Sequence, residues 1–438
     1  MYCSVYLKEG EKKVKFFALF FLRENHIMKL QFLLSILLFM QPEDLLLSSY
    51  NYNLPDKQIA QVPSVPAHNA KMLICTPNQN RGYDFQHKTF IELAEQLDDK
   101  YLIFLNRTKV FKARIPLHWV KIIRKSWKGY MITDWEIFVY RIISEKKFEC
   151  LVSDSKNFRP WSRIFFENNI ILESEAFTEN WILFSINCES IFSFLEALGE
   201  MPLPPYIKYE KEKEQWYQTF FAEEIGSAAA PTASLHFTPL LVKKLQEQWV
   251  TLHYLCLHVG LGTFKPVYEE HIENQKLHFE PMIISKSIRG TIYTAKIEKK
   301  IFLPIWTTMI RYLESLPYIW KFLKKKAYLP EIPSQVAQWR DELCSKIPES
   351  LVDDFIPDQE IQYNEHQDLI IQTRLFIRPW IPFYLVDELI TNFHLPKSSL
   401  MMLISAFMWR KNLLECYQEA INHDYKFYSF WDWMWVRG

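Results

Sequence analysis

The chain has 438 residues, enough for two domains and a large core. Hydrophobic residues at 49% and charged residues at 23% are ordinary for a globular protein and exclude a disordered or fibrous one. Lys+Arg and Asp+Glu are both 51, which excludes a global positive field, so a nucleic-acid partner has to use a local patch. Seven scattered cysteines with no CxxC pair predict reduced thiols in a cytoplasmic protein, with neither a disulfide framework nor a metal site. One pair of totals is out of line. There are 9 Gly and 15 Trp, where average usage of about 7% would give roughly 30 Gly.

In chain order, residues 1–44 read as an extension outside the fold. Met28-Lys29 followed by LQFLLSILLF resembles the start of a secretory signal, but no small-residue cleavage site follows and the run is too short to span a membrane. No membrane partner is expected. From Tyr50 the chain turns into short strands and helices: MLICTP, a helix near Thr89–Gln96, and YLIFLNRTKVFKARI, a strand running into a basic loop. Asn106, Lys109 and Arg114 lie in that loop, which is either a solvated turn or an anion contact. Between residues 116 and 197, WEIFVYRII, KFECLVS, SRIFFE and WILFSIN have the spacing of a small all-β barrel or sandwich. The expected architecture is a mixed α/β main domain, residues 45–115 and 198–438, with that β domain inserted.

The stretch from Gly226 to Val267 organises the second part. Thr238 caps a helix, Pro239 fits its first position, and Leu240, Leu241 and Leu245 give an apolar stripe. Val250 to Val259 is strand-like, and Gly260 to Thr263 turns the chain where that strand ends. His236 precedes the helix, and His258 and Thr263 sit at the strand end, where α/β proteins build their sites. Strand KIFLPI then leads into Thr307 and Thr308 and a helix with Met309, Leu313 and Leu316 on one face, leaving Arg311, Glu314 and Ser315 off it. Residues 321–357 read as a helical excursion, with Lys324–Lys326 as a solvated face. TRLFIRPW and YLVDELI are strand candidates. TNFHLP turns into the buried helix SSLMMLISAFM, placing Asn392 and His394 at a third strand-to-helix junction.

Three junctions rich in Thr, His, Asn and Arg predict one shared pocket. The order LPxxxIAQVP, NRTKVFKAR, MPLPPYI, GSAAAPTASLHF, LHVGLGTFKPV, HFE, TTxxRxLES, TNFHLPKSSLMMLISAF and YKFYSF resembles the S-adenosylmethionine:tRNA ribosyltransferase-isomerases of queuosine biosynthesis, over about Tyr50 to Val436. Each motif alone is weak, whereas nine in one order are specific. The resemblance implies transfer and isomerisation of the ribosyl group of S-adenosylmethionine, as co-substrate, onto 7-aminomethyl-7-deazaguanine at the tRNA wobble position. The products are epoxyqueuosine-tRNA, adenine and methionine. That chemistry needs a base beside the sulfonium and an acid for the departing adenine, and no metal. Carried onto matching positions, it makes His236, His258, Glu280 and His394 the catalytic candidates. Thr232, Thr263, Thr307, Thr308, Arg311 and Asn392 become candidates for holding S-adenosylmethionine, and Asn106, Lys109 and Arg114 for holding tRNA. A monomer is expected. The alternative is an inactive, tRNA-binding relative.

The departures from the family follow one pattern. Trp161, Trp249, Trp306, Trp380, Trp409 and Trp431 stand where the family has glycine, with Trp135 and Trp181 as further cases. Glycine at a turn serves a positive φ or a close backbone approach, which an indole cannot. A gene whose UGA codons mean glycine, translated with UGA as tryptophan, would produce both this pattern and the Gly and Trp totals.

Overall fold

The computed structural model describes residues 2–9, 12–19 and 41–438, except 118–119, 124–128, 133–134, 154–159, 167–168, 178–180, 205, 261–266, 329–333 and 429–431. The LQFLLSILLF run, Thr263 and Trp431 therefore lie outside the described residues. The chain falls into two compact units, residues 1–45 and 46–438. In the first, Tyr2–Glu9 and Lys12–Leu19 pair as an antiparallel hairpin.

The second unit is mixed α/β. Its six-stranded sheet runs in the order Ile301–Pro304, Tyr101–Asn106, Thr251–Leu257, Glu280–Ile284, Leu369–Thr373, Gln362–Tyr363. The first three strands are parallel, and the others join antiparallel. LIFLN is buried at every position because a parallel strand is covered on both faces. A second sheet carries Leu389–Asn392, Trp433–Val436, Lys71–Pro77 and Tyr83–Thr89, and a parallel bridge between Ile305 and Ile390 ties the two sheets together. Parallel pairing sets the geometry of the site. It brings the carboxyl ends of Tyr101–Asn106, Thr251–Leu257, Ile301–Pro304 and Leu389–Asn392 to one edge.

The helix Pro239–Glu247 starts as its sequence dictates: the Thr238 side chain accepts from the Leu241 N–H, and Pro239 stands at the first position. Leu241 and Leu245 are fully buried, but Leu240 points outward and is no part of the stripe. The helix Thr307–Lys325 departs further from expectation. Every residue from Thr307 to Trp320 is buried, including Arg311, Glu314 and Ser315. It packs against Tyr101–Asn106 and Thr251–Leu257 on one side and against the helices Ser334–Ser345 and Glu349–Phe355 on the other, so both faces are interior. The lysines at its end pair with acids: Lys324 with Asp341, Lys325 with Asp353, Lys326 with Asp358.

TRLFIRPW and YLVDELI are mostly not strands. The ladders occupy Leu369–Thr373 and Leu389–Asn392, and the chain between them is irregular. Its backbone is satisfied differently, because the buried Glu314 carboxylate accepts from the N–H groups of Tyr384, Leu385 and Val386 at 2.8, 2.9 and 2.8 Å. Burial raises that carboxyl to about 7 against the lowering effect of those three bonds.

The β region is one eight-stranded antiparallel sheet rather than two facing ones, running from Arg114–Leu117 at one end to Gly129–Ile132 at the other. It has its own core, in which Ile115, Val139, Phe148, Leu172 and Phe184 meet Ile191, Phe194 and Leu195 of the helix Ile191–Leu198. Among the described residues, no helix is long and apolar enough to cross a membrane.

Candidate active site

Two polar groups form at the shared edge. The first is built around Asn106, the last residue of its strand. Its Nδ2 donates to the Leu257 carbonyl at 2.9 Å and to Thr308 Oγ1 at 3.3 Å, while its Oδ1 accepts from the N–H groups of Thr108 and Leu257. Thr108 Oγ1 in turn lies 2.6 Å from Ser227 Oγ and 2.9 Å from His258 Nδ1. His258 is pressed against Gly226, where a Cβ would come within 2.5 Å of the imidazole, so only glycine fits there. Burial pushes the His258 pKa down to about 4, making the ring neutral near pH 7.

Next to it, Glu280 is fully buried. Its Oε1 accepts from the Gly260 N–H and lies 3.2 Å from His278 Nε2, and its Oε2 pairs with Arg311 Nη1. Arg311 also donates from Nε to the Leu375 carbonyl, while its Nη2 has no hydrogen-bond partner. A cavity of about 270 Å3 opens beside His258, lined by that ring, Gly226, Gly260 and Phe279 together with Tyr140 and Arg141 from the eight-stranded sheet, while Arg311 lines a separate, smaller pocket with His278 and Leu375.

The second group gathers around the end of Leu389–Asn392. Thr232 Oγ1 donates to Asn392 Oδ1 at 3.3 Å, and Thr391 Oγ1 lies 2.9 Å from His394 Nε2. The His394 N–H donates to the Tyr417 hydroxyl, and the Tyr52 hydroxyl donates to its carbonyl. His236 Nδ1 bonds the Ala67 carbonyl at 2.8 Å, so that nitrogen carries the proton, and Nε2 is buried with no partner. Its ring stands edge-on to Trp433, the β-partner of Asn392. Burial lowers the pKa of His236 to about 4, despite the Ala67 bond that works against it, and that of His394 to about 3.

The sequence candidates thus divide. His258, Glu280, Thr308 and Arg311 come together, Asn106 knits their backbones, and His236, Thr232, Asn392 and His394 form the second set. Thr307 lies between them, at the start of its helix, its buried Oγ1 without a partner. Asn106 itself is fully buried and its amide is spent inside the protein, which corrects its placement among tRNA contacts. Lys109 is exposed, and Arg114 is half-exposed and paired with Glu136 at 2.6 Å. Sequence reasoning missed Ser227, Tyr140 and Arg141. Ser227 could have been found beside Gly226, but nothing local marks the other two, which pairing alone brings to the cavity. Away from this edge, His87, Glu419 and His423 are the group among the described residues able to hold a cation, and Glu419 already accepts from His87 at 3.2 Å.

A polar edge at strand ends, bearing neutral histidines and a buried Glu–Arg pair beside a cavity, defines an α/β protein with a sheltered polar site. Comparison with known proteins places it more closely. Residues 47–436 match the family model described as "Queuosine biosynthesis protein". S-adenosylmethionine:tRNA ribosyltransferase-isomerase of Synechococcus sp. (strain CC9605) is 34% identical over 90% of this chain and 96% of its own. The protein of that name from Sulfurihydrogenibium sp. (strain YO3AOP1) is 32% identical over 89% and 98%. The solved S-adenosylmethionine tRNA ribosyltransferase of Thermotoga maritima, 22% identical, covers 89% of this chain and 100% of that one with a TM-score of 0.43. The chain belongs to the S-adenosylmethionine:tRNA ribosyltransferase-isomerase family of queuosine biosynthesis.

Proposed function

We propose that the substrates are S-adenosylmethionine and a tRNA bearing 7-aminomethyl-7-deazaguanine at the wobble position, and that the ribosyl group is transferred and isomerised to give epoxyqueuosine, adenine and methionine. The observation that carries the site assignment is the neutral His258 ring at the wall of the cavity, oriented by Thr108 and Ser227 and adjoining the buried Glu280–Arg311 pair. A neutral imidazole accepts a proton, so His258 is the base for the carbon beside the sulfonium. The sulfonium charge acidifies that carbon, and the amine of the modified base then attacks the ribose C1′ as adenine leaves.

Arg311, with Nη2 unspent, is suited to the methionine carboxylate, and Thr308 and Asn392 to the polar edges of the ribose or adenine. The second group supplies neutral hydrogen-bonding walls and His236, whose unpartnered Nε2 accepts from a ligand N–H or hydroxyl. Lys109 and Arg114 contact tRNA phosphates. Tyr140 and Arg141 bring the eight-stranded sheet to the rim, where an aromatic face and a cation suit an extruded base.

Adenine release tests the reading. It should require both S-adenosylmethionine and precursor-bearing tRNA, and it should fall at least 100-fold in His258→Ala while S-adenosylmethionine still binds. Release from S-adenosylmethionine without tRNA would make the protein a nucleosidase, and unchanged release in His258→Ala would remove that residue from the chemistry.

A further inference from the structure

Five tryptophans occupy backbone conformations that belong to glycine. Trp161, Trp249, Trp306, Trp380 and Trp409 have φ of 71, 62, 79, 69 and 70°. None of Gly82, Gly199, Gly226, Gly260, Gly290 and Gly438 has a φ in that left-handed range. Two of them stand where a named backbone device calls for glycine. Trp249 follows the helix Pro239–Glu247 in a Schellman end: its N–H donates to the Gln246 carbonyl at 3.0 Å, and the Val250 N–H donates to the Leu245 carbonyl at 3.1 Å. In Arg378-Pro379-Trp380-Ile381 the Ile381 N–H closes on the Arg378 carbonyl at 3.0 Å. That is a turn with proline second and a positive φ third, the type II pattern. Trp161 likewise follows a proline, Pro160.

Trp306 and Trp409 are the decisive pair. Their φ, ψ of 79°, 156° and 70°, 144° lie in or at the border of a region that essentially glycine alone populates. The left-handed helical region by itself decides less, since Lys299, Ala327 and Asp424 occupy it at φ 58, 58 and 52°. Trp135 and Trp181, the further cases suggested by sequence, are not among the residues with positive φ, and each has a place as it stands. Trp135 begins a strand, and Trp181 stacks on Tyr140 at 4.0 Å.

We infer that the protein as its own cell makes it carries glycine, not tryptophan, at positions 161, 249, 306, 380 and 409, and that at 306 the exchange opens a pocket for a carboxylate-bearing ligand. One codon accounts for all five: UGA, which different genetic codes read as stop, tryptophan or glycine. Position 306 is where the exchange changes the site. Its N–H donates to the Ile390 carbonyl, and it precedes Thr307 and Thr308 and joins the two polar groups. The indole there is buried, at 2% exposure. Removing it frees its volume beside the first turn of Thr307–Lys325, next to the unpartnered Thr307 Oγ1 and one turn from the unpartnered Arg311 Nη2. Free N–H groups, a hydroxyl and a guanidinium are the partners of a carboxylate. The ligand half of this inference rests on the reading of the function given above, whereas the glycine half does not.

Three measurements test the two halves separately, two for the glycines and one for the pocket. Peptide mass spectrometry of the protein purified from its own cells should find glycine at 306 and 409. Tryptophan at either overturns the inference. On the recombinant chain, Trp249→Gly should melt higher than Trp249→Ala, because the side chain is 81% exposed and the two variants differ only in backbone freedom. Equal melting would show that φ at 249 is not the constraint. Calorimetry with S-adenosylmethionine then compares the tryptophan-bearing chain with a variant holding Trp→Gly at all five positions. At least 10-fold tighter binding by the glycine form is expected. Equal binding by a folded glycine form would overturn the pocket while leaving the glycine assignment in place.

Discussion

The two polar groups at the sheet edge are made of similar residues and behave as opposites. Around His258 the charges are paired, Glu280 with Arg311, and the His258 ring itself lines a cavity. Around His236 and His394 the walls are aromatic, including Phe90, Trp433 and Tyr417, and both imidazoles are held neutral by burial. The lesson is that a histidine at a family position is not one kind of object. Where a buried ion pair stands next to it, the site can exchange charge with a ligand. Burial holds all three imidazoles neutral, so protonating any of them costs folding free energy; with aromatic rings and a Thr391 hydroxyl for neighbours instead of an ion pair, His236 and His394 serve as fixed hydrogen-bonding surfaces.

Arg311→Met breaks the first group most severely. It leaves the Glu280 carboxylate buried without its counter-charge and should cost about 3–5 kcal/mol in urea denaturation, with loss of activity. Adding Glu280→Gln should recover most of the stability and none of the turnover. A loss under about 1 kcal/mol would mean that the pair is not the electrostatic centre of the group.

The second group is tested by acid. A histidine whose folded pKa lies below its unfolded value binds its proton more readily when unfolded, so its stabilisation is present above about pH 6.5 and drains away as pH falls toward the folded value. For His236, held to about 4, that is roughly 3 kcal/mol over the interval, with a like share from His258 at about 4 and more from His394 at about 3. The melting temperature should therefore fall between pH 6.5 and 4, and His236→Asn, which keeps a donor toward the Ala67 carbonyl, should flatten that slope. Glu314 acts in the other direction. Its folded pKa of about 7 lies above its unfolded value, so its contribution is whole in acid and lost as pH rises through 7. An acid slope unchanged by His236→Asn would place the drain elsewhere.

Thr108→Val asks whether His258 is positioned or merely packed. The loss of its bonds to Ser227 and His258 should cost about 1–2 kcal/mol. If His258 acts as the base, kcat should drop and its acid limb should shift while KM for S-adenosylmethionine holds. A purely structural His258 would give the stability loss alone. The smallest effect is expected at the surface. Arg114→Ala breaks an exposed pair with Glu136 worth under about 1 kcal/mol. It should leave melting unchanged and raise KM for tRNA, with the penalty fading as salt rises.

Much of this was legible in order along the chain. Thr238-Pro239 starting a helix, the buried helix after TNFHLP and YLIFLN as a strand are local rules, decided by hydrogen bonds and apolar spacing within a few residues. The polar junctions at strand ends were legible for the same reason. The misfit of tryptophan at turns was implied by the family resemblance together with the Gly and Trp totals, and it is matched by the φ of Trp306, Trp380 and Trp409.

What tertiary structure decided is everything that depends on partners distant in sequence. The helix Thr307–Lys325 carries a one-sided stripe, yet it is buried all round because later helices cover its other face. YLVDELI has a strand's composition, yet its backbone bonds go to the carboxylate of Glu314, some 70 positions earlier. Asn106 looks like a basic-loop donor, yet pairing with Thr251–Leu257 consumes its amide. Which histidine meets a charge and which meets a ring is likewise set by strand order and not by the residues beside it. Spacing along a chain fixes what a residue can offer, and only packing fixes what it is offered in return.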